Sequence, residues 1–524
     1  MVKHVKIAAT AMAVCLSMSA LAACSSKSDS SESGGSASAS KPSISVSVFD
    51  RGTVSSEEGT YESNRWTKWI NENSPTKVDW VPVPRNEAQT KLNTLIASGS
   101  APDLIWEYSR DYIVQLANQG AIQPIDEYLD KYSTSYKAYL ESHSELLPYL
   151  KIDGKMYAVA SERGIDSVAN HGMWIRKDWL DKLGLDAPAT VEELLEVARK
   201  FQTEDPDGNG KDDTVPIVFN YNFPGILQAF FQANSTQWYA EGEGVQLGRL
   251  LDRYEDYLSL HKQLFDEKLI DQEYITDSNY TRAMQNWTTG KAGILFGSWN
   301  MESQYRDLVA NVPDAEMVPL ESLETKYGKN GLYQEAPPGI YVAFNSDMKE
   351  DEIEAAFKFL DWLIDGGWEP LKQGEEGVHY QDVNGVPQTI DADKFKTEAG
   401  YAYEYAIVNQ SAPQPEWFPI MAASDEVSQA YAKQKAASLE TAMKNTYRRD
   451  IAYAPGMAEL TQLMATFDPI AQQIEAKVVT GGPGMTPAKG MEELRSEWKR
   501  LGGDTINQQV NKWYAENKDQ LTTK

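Results

Sequence analysis

The segment DPDGNGKDDTVPI, Asp205–Ile217, sets oxygen-bearing side chains at alternate positions, Asp205, Asp207 and Asn209, ahead of Gly210. That spacing suits a loop curled around a hard divalent cation, which takes oxygen ligands. A helix–loop–helix calcium site needs a bidentate Glu at the twelfth position, and here that position is Pro216. These residues alone are consistent with a broken sensor, a solvated Asx-rich turn or another kind of site. A second group of residues has stacking and hydrogen-bonding chemistry. The chain carries 14 Trp, 27 Tyr and 14 Phe, many of them in polar settings. Trp106, Glu107 and Arg110 lie in LIWEYSR, Trp238 in STQWYAEGEG, Trp299 in FGSWN and Trp417 in PQPEWFP. Arg51 follows a strand-like run, and Arg163 lies in SERG. Flat indoles beside guanidinium and carboxylate groups suit a ligand with apolar faces and a rim of hydroxyls, as a sugar has. The plainer reading of each Trp is core packing, and of each Arg a structural ion pair. Trp362, Trp368 and His379 are read as structural.

The elements that must position these groups are legible in outline. SISVSVFD alternates Ile44, Val46 and Val48 with serines, a period-two strand ending at the polar tip Asp50-Arg51-Gly52. A helix is expected near Asn64–Glu72, a strand at Lys77–Val83, a helix near Asn86–Ala97 and a short buried strand ending at Trp106. This alternation predicts α/β architecture with a mostly parallel sheet, whose ligands bind at the carboxyl ends of strands. Arg51 and Trp106 fall at such ends. Thr190 and Glu193 form a capping box ahead of an apolar face of Val191, Leu194, Leu195 and Ala198. That helix runs into the Asp205 loop, which leads into the strand VPIVF and not into a second helix. AGILF reads as a buried strand followed by an exposed Trp299. Further on come a helix over Asp351–Asp365, a hairpin at Asn384-Gly385 and a mainly helical remainder after Ala402.

Catalysis has little support. The sequence shows no thiol nucleophile in its body, no His-rich metal motif and no phosphate loop. With 77 acidic residues, neighbours such as Glu375-Glu376 arise by chance. A glycoside hydrolase, which needs two carboxylates facing across a cleft, is the rival reading, together with a polysaccharide adhesin at the cell surface. The net charge of −28 argues against a nucleic-acid partner and against a polybasic lipid contact.

At the N-terminus, Lys3 and Lys6 precede the apolar run Ile7–Cys24, which is short for a membrane span and ends in small residues, as a secretory signal does. LAAC, Leu21–Cys24, resembles a bacterial lipobox, which implies cleavage before Cys24 and lipidation of that thiol. Residues 1–23 are therefore expected to be a lipoprotein signal peptide and 24–42 a flexible, serine-rich tether. Removal of residues 1–23 leaves 501 residues and shifts the charge to −30. The only other cysteine, Cys15, lies in the segment removed, so core burial must supply stability without a disulfide.

LAAC, LIASGSAPDLIW, DGKMYAV, WIRKDWLDKLGLDAPATVEEL, DPDGNGKDD, GKAGILFGSWN and GEEGVHY, in that order and spacing, resemble the extracellular solute-binding lipoproteins of carbohydrate ABC importers, family 1, of the LplA-like kind. The resemblance implies a two-lobed periplasmic-binding-protein fold of type 2 with the ligand cleft between the lobes. It implies crossings near Ser161–Gly164, Pro337–Ile340 and Tyr401–Ala406. Lobe 1 is then 43–161 with 338–403, and lobe 2 is 162–337 with 404–524. It also implies an oligosaccharide ligand, ABC permease subunits as partners, no enzymatic activity, a monomer, and a lipid anchor on the extracellular face of a bacterial membrane. Trp106 and Trp299 match places where the family presents cleft aromatics from opposite lobes, and Arg163 falls at a crossing. For the Asp205 loop the resemblance implies structural Ca²⁺, held by side chains of Asp205, Asp207, Asn209 and Asp213 and the carbonyl of Lys211. Relatives often carry Glu where this chain has Thr214.

Overall fold

The computed structural model describes residues 41–164, 169–220, 223–277, 279–332 and 334–521, except the side chains of 519 and 520. The expected signal peptide, Cys24 and nearly all of the tether lie outside the described residues.

Nine strands build two main sheets: Ser43–Asp50 (β1), Lys77–Pro84 (β2), Leu104–Glu107 (β3), Ala158–Val159 (β4), Gly172–Arg176 (β5), Val215–Phe219 (β6), Ala292–Gly297 (β7), Met317–Leu320 (β8) and Tyr341–Phe344 (β9). The first sheet has the order β2-β1-β3-β9-β4 and the second β8-β5-β7-β6. In β1, Ile44, Val46 and Val48 are buried as the alternation requires. The serines between them are also used: Ser47 Oγ accepts from Trp106 N at 3.0 Å, and Ser45 Oγ donates to Asp103 at 2.8 Å. Asn64 starts the helix Arg65–Asn73 by accepting from the amides of Trp66 and Thr67. The Thr190–Glu193 box starts the helix Val191–Thr203, which buries Leu194, Ala198 and Phe201.

The sheets are mixed, not mostly parallel. β1 runs parallel to β2 and β3, and β7 parallel to β6, but β9 is antiparallel to β3 and β4, and β5 is antiparallel to β7 and β8. The reason is connectivity. β9 enters its sheet from the other half of the molecule, so no helical crossover forces it to be parallel.

Two cores follow. One draws on residues between Ile44 and Ala160, Tyr341 and Leu371, and Ala399 and Val408. The other draws on residues between Met173 and Leu332 and between Ile451 and Leu521. A third, smaller cluster with Trp174, Trp287, Leu295 and Tyr431 covers the opposite face of the second sheet. Between the two main cores the chain passes three times at one point. Arg163 N donates to Pro337 O at 2.7 Å, and Gly339 N to Ser161 O at 3.0 Å. Asn409 N donates to Ser161 Oγ at 3.2 Å. The stretch Tyr401–Ala406, expected to cross, is instead packed in the first core. Tyr405 donates to Tyr61 O at 2.9 Å and its ring meets Trp80 at 4.7 Å, so the third passage comes at Asn409.

Two buried histidines set an acid response. His171, at the entry to β5, is pushed down to about 4 by burial, and His261, inside the second core, to about 3. Each is neutral when folded, whereas the unfolded chain takes up a proton below about pH 6.5. Stability from these groups is therefore complete above that pH and is lost as pH falls toward the folded values. Denaturant titrations between pH 6.5 and 5 should show His261→Leu less acid-sensitive than the parent, by a slope that rises toward about 1.4 kcal/mol per pH unit at the acid end. Parallel curves for the two proteins would refute the assignment.

Candidate functional site

Three parallel strands end together at one edge of the first sheet. The register pairs Asp50 with Pro84, so Arg51 and Arg85 leave neighbouring strand tips, and Tyr108 leaves the tip of β3 beside them. Arg51 Nη2 donates to Tyr108 Oη at 2.9 Å, and Arg51 Nε donates to the buried carboxylate of Glu404. Arg85 lies 4.9 Å from the ring centres of both Phe49 and Tyr108. Burial pushes Glu404 above the usual carboxylate range, and Tyr403 and Arg51 offset only part of that. Burial, then Glu404, also raises the Tyr108 phenol, against the pull of Arg51, Arg85 and Arg163.

This edge adjoins the three-passage junction. Arg163 Nε donates to Ala336 O at 3.2 Å, and Arg163 Nη2 lies 3.9 Å from Glu335. Glu335 Oε1 accepts from Asn170 Nδ2 at 2.8 Å. Beyond the junction, Trp238, Glu335, Ala336, Arg449 and Tyr453 line a hollow of about 220 Å³. Arg51, Tyr108, Arg163 and Glu335 thus follow one another from the strand tips to the junction between the two cores, and Glu335 shares the hollow beyond it with Trp238, which is itself buried.

Trp299 is buried to 7 % exposure, not exposed as expected. Phe418 stacks on it at 5.9 Å and 14°, and Lys435 Nζ lies 5.8 Å from its ring. Its free edge lines a cavity of about 440 Å³ whose other walls include Thr389, Phe395, Pro413 and Phe418. Gly172 makes this placement possible. A Cβ there would stand 2.0 Å from Ser298 C and 2.4 Å from Trp299 N.

Other expected site residues are spent elsewhere. Trp106 is fully buried, 4.2 Å from Phe49, because it lies inside β3, every residue of which is buried. Glu107 is buried too, and its Oε1 accepts from the amides of Tyr108 and Ser109. Arg110 donates to the carbonyls of Tyr149 and Lys151 and stacks 3.9 Å over Tyr453, a strut between the halves. Trp417 closes the turn Pro415–Trp417 and lines a separate cavity of about 560 Å³ with Trp368, Tyr380 and Gln410. The tryptophans therefore do not share one pocket.

The Asp205 loop is curled as a cation loop requires. Asn209 Nδ2 donates to Asp207 at 2.7 Å and to Asp213 at 2.9 Å, and Asp205 accepts from the amides of Asn209 and Gly210. Burial and the Asp205 and Asp213 charges raise Asp207, while Lys291 holds Asp213 down. Three carboxylates crowded around one amide fit a hard divalent ion, and turning the Asn209 amide over would present its oxygen to the same point. Sequence separation hides this gathering less than it hides the cleft, since every donor lies within nine residues.

Residues 59–367, more than half of the chain, match the profile of a family described as bacterial extracellular solute-binding protein. The chain belongs to this family. Its members are binding proteins, not enzymes. The solute-binding protein is 26 % identical over 465 residues to lipoprotein LipO of Bacillus subtilis, covering 84 % of this chain and 86 % of the relative. Its fold is that of an extracellular solute-binding protein from Bifidobacterium longum subsp. infantis, with TM-score 0.70, 20 % identity and coverage of 91 % and 98 %. It is equally the fold of the Streptococcus pneumoniae ABC-transporter substrate-binding protein FusA in complex with kestose, with TM-score 0.67, 17 % identity and coverage of 91 % and 100 %. Another FusA structure, at TM-score 0.65 and 17 % identity over 91 % and 100 %, is described as an EF-hand mutant. The two-lobed α/β fold expected of such a protein is what the two cores and two sheets form.

Sequence reasoning missed Arg85, Tyr108 and Glu404 in this solute-binding protein. The first two had a signal: each is the first residue past a strand, as Arg51 is. Glu404 had none, because its partner Arg51 is 353 residues away. Since Gly172 lets the chain at Trp299 approach, Gly172→Ala should lower unfolding free energy by about 1–3 kcal/mol in denaturant titration. An unchanged midpoint would show that the backbone at Ser298–Trp299 has room to move.

Proposed function

We propose that this solute-binding protein captures an oligosaccharide between its two lobes and presents it to the permease subunits of an ABC importer. The observation that carries the reading is the run of Arg51, Tyr108, Arg163 and Glu335 from the strand tips to the junction between the cores, with Trp238 lining the hollow beyond it. It offers what a sugar needs: aromatic faces for C–H surfaces, guanidinium donors and carboxylate acceptors for hydroxyls. Trp299 and Phe418 supply a further stacking platform. The sugar-bound FusA structure with the same fold supports this ligand class. In this reading the lobes are 43–161 with 338–408, and 162–337 with 409–521. A ligand that touches both favours the closed arrangement by its greater affinity for it, and the permease reads that arrangement. Lipid on Cys24 anchors a monomer to the outer face of the membrane, and the serine-rich tether gives it reach.

The loop from Asp205 to Asp213 holds Ca²⁺ through the side chains of Asp205, Asp207, Asn209 and Asp213 and the Lys211 carbonyl. When bound, the ion neutralises the crowded carboxylates and clips the end of helix Val191–Thr203 to β6, away from the cleft. Thr214 contributes no charge, which suits a weak site filled at millimolar calcium.

Calorimetric titration of an oligosaccharide panel should find a ligand, and Trp299→Ala should bind it about tenfold more weakly or worse. Equal affinity would remove Trp299 from the site. Chelation of calcium should lower the melting temperature by about 5 °C, reversibly, and Asp207→Asn should abolish the response. A melting temperature indifferent to chelator would make the loop a plain turn.

A further inference from the structure

We propose that the saccharide taken by this cleft is acidic, an oligosaccharide of uronic acids, with a ligand carboxylate held by Arg85 beside Arg51 and Arg163. The inference rests on the saccharide-binding reading above and concerns the charge of the ligand.

The protein as a whole is strongly acidic, with 49 Lys and Arg against 77 Asp and Glu. In such a chain most arginines find carboxylates nearby, as Arg65, Arg199 and Arg282 do. Arg85 is different. It is half-buried and makes no hydrogen bond or ion pair with any described residue, while its guanidinium lies over Phe49 and Tyr108 at 4.9 Å each. Two rings hold the plane of the cation and strip water from its faces, leaving its N–H edge for a partner.

The acids around it are engaged by other groups. Arg51, Arg85 and Arg163 face Tyr108 together with one carboxylate, Glu404. Glu404 is already engaged by Arg51 Nε. Glu335 is 3.9 Å from Arg163 and accepts from Asn170. Asp50, the other acid at the tip of β1, turns back to accept from Gly52 N at 2.8 Å. Glu404, Glu335 and Asp50 are thus each engaged, and of the three arginines Arg85 alone has no acid or acceptor among the described residues. A neutral sugar could accept hydrogen bonds from Arg85 but would not neutralise its charge. A carboxylate does both, and it matches the planar guanidinium fork.

Pairs of probes that differ only in oxidation at C6 isolate the effect. Trigalacturonate and the neutral galactotriose are such a pair, and mannuronate and glucuronate trimers with their neutral counterparts extend the panel. Titration at about 20 and about 300 mM NaCl should show at least one uronate trimer binding at least tenfold tighter than its neutral partner, with the preference shrinking at high salt. Arg85→Gln should erase the preference, weakening uronate binding at least tenfold more than it weakens neutral binding. Neutral oligosaccharides binding as well as or better than uronates, or an Arg85→Gln loss equal for both classes, would overturn the charge assignment and leave the saccharide reading standing. Failure of both classes to bind the parent protein would overturn both.

Discussion

The structure depends on one small set of hydrogen bonds, those of Ser161. Its carbonyl accepts from Gly339 N and its hydroxyl from Asn409 N, so all three chain passages between the lobes are tied to one buried residue. The arrangement satisfies backbone groups that would otherwise be stranded between two cores. It also places Arg163 and Glu335, each next to a crossing segment, at the floor of the proposed cleft. A hinge of three extended segments with few bonds can absorb backbone rotation, whereas the packed sheets on either side cannot. The same junction therefore accounts for the entry of β9 into the first sheet and the division of the core, and it marks the place of the proposed site.

Within that frame, burial and charge oppose one another at the strand tips. Glu404 is enclosed to an extent that works against its ionisation, even with Arg51 on it. Arg51 is raised all the same, since Glu404, Tyr108 and Tyr403 outweigh the burial that acts against its charge. Buried groups of this kind are retained at the cost of desolvation, and a binding surface gives a reason to retain them. The Asp205 loop resolves its own crowding differently, near the surface and with Lys291 alongside. In the proposed reading the two sites differ in kind: one binds across a hinge, the other stiffens a single lobe.

Much of the fold was legible because it is written in local periods and caps. SISVSVFD, the Thr190–Glu193 box and AGILF each specify their element within a few residues, and the structure shows each of them. The mixed sheet was not legible, because strand direction depends on which lobe the chain comes from. Trp106 failed for a different reason. In LIWEYS the strand runs to Glu107, so the ring that clears its end is Tyr108, while Trp106 packs on Phe49. Arg51 stands where the reading of strand tips put it, and the same reading applied to β2 would have named Arg85. Trp299 lies at the expected strand end, yet Phe418, distant in sequence, covers one face. Pairings over hundreds of residues, such as Arg51 with Glu404, have no sequence signal at all.

The central claim is that ligand draws the two lobes together about the Ser161 junction. Small-angle X-ray scattering of the protein, alone and with a bound oligosaccharide, tests it most directly. The account predicts a smaller radius of gyration on binding, by about 0.5–1 Å for hinge closure of a two-lobed receptor. An unchanged radius with the site saturated would contradict closure and reduce the cleft to a static pocket.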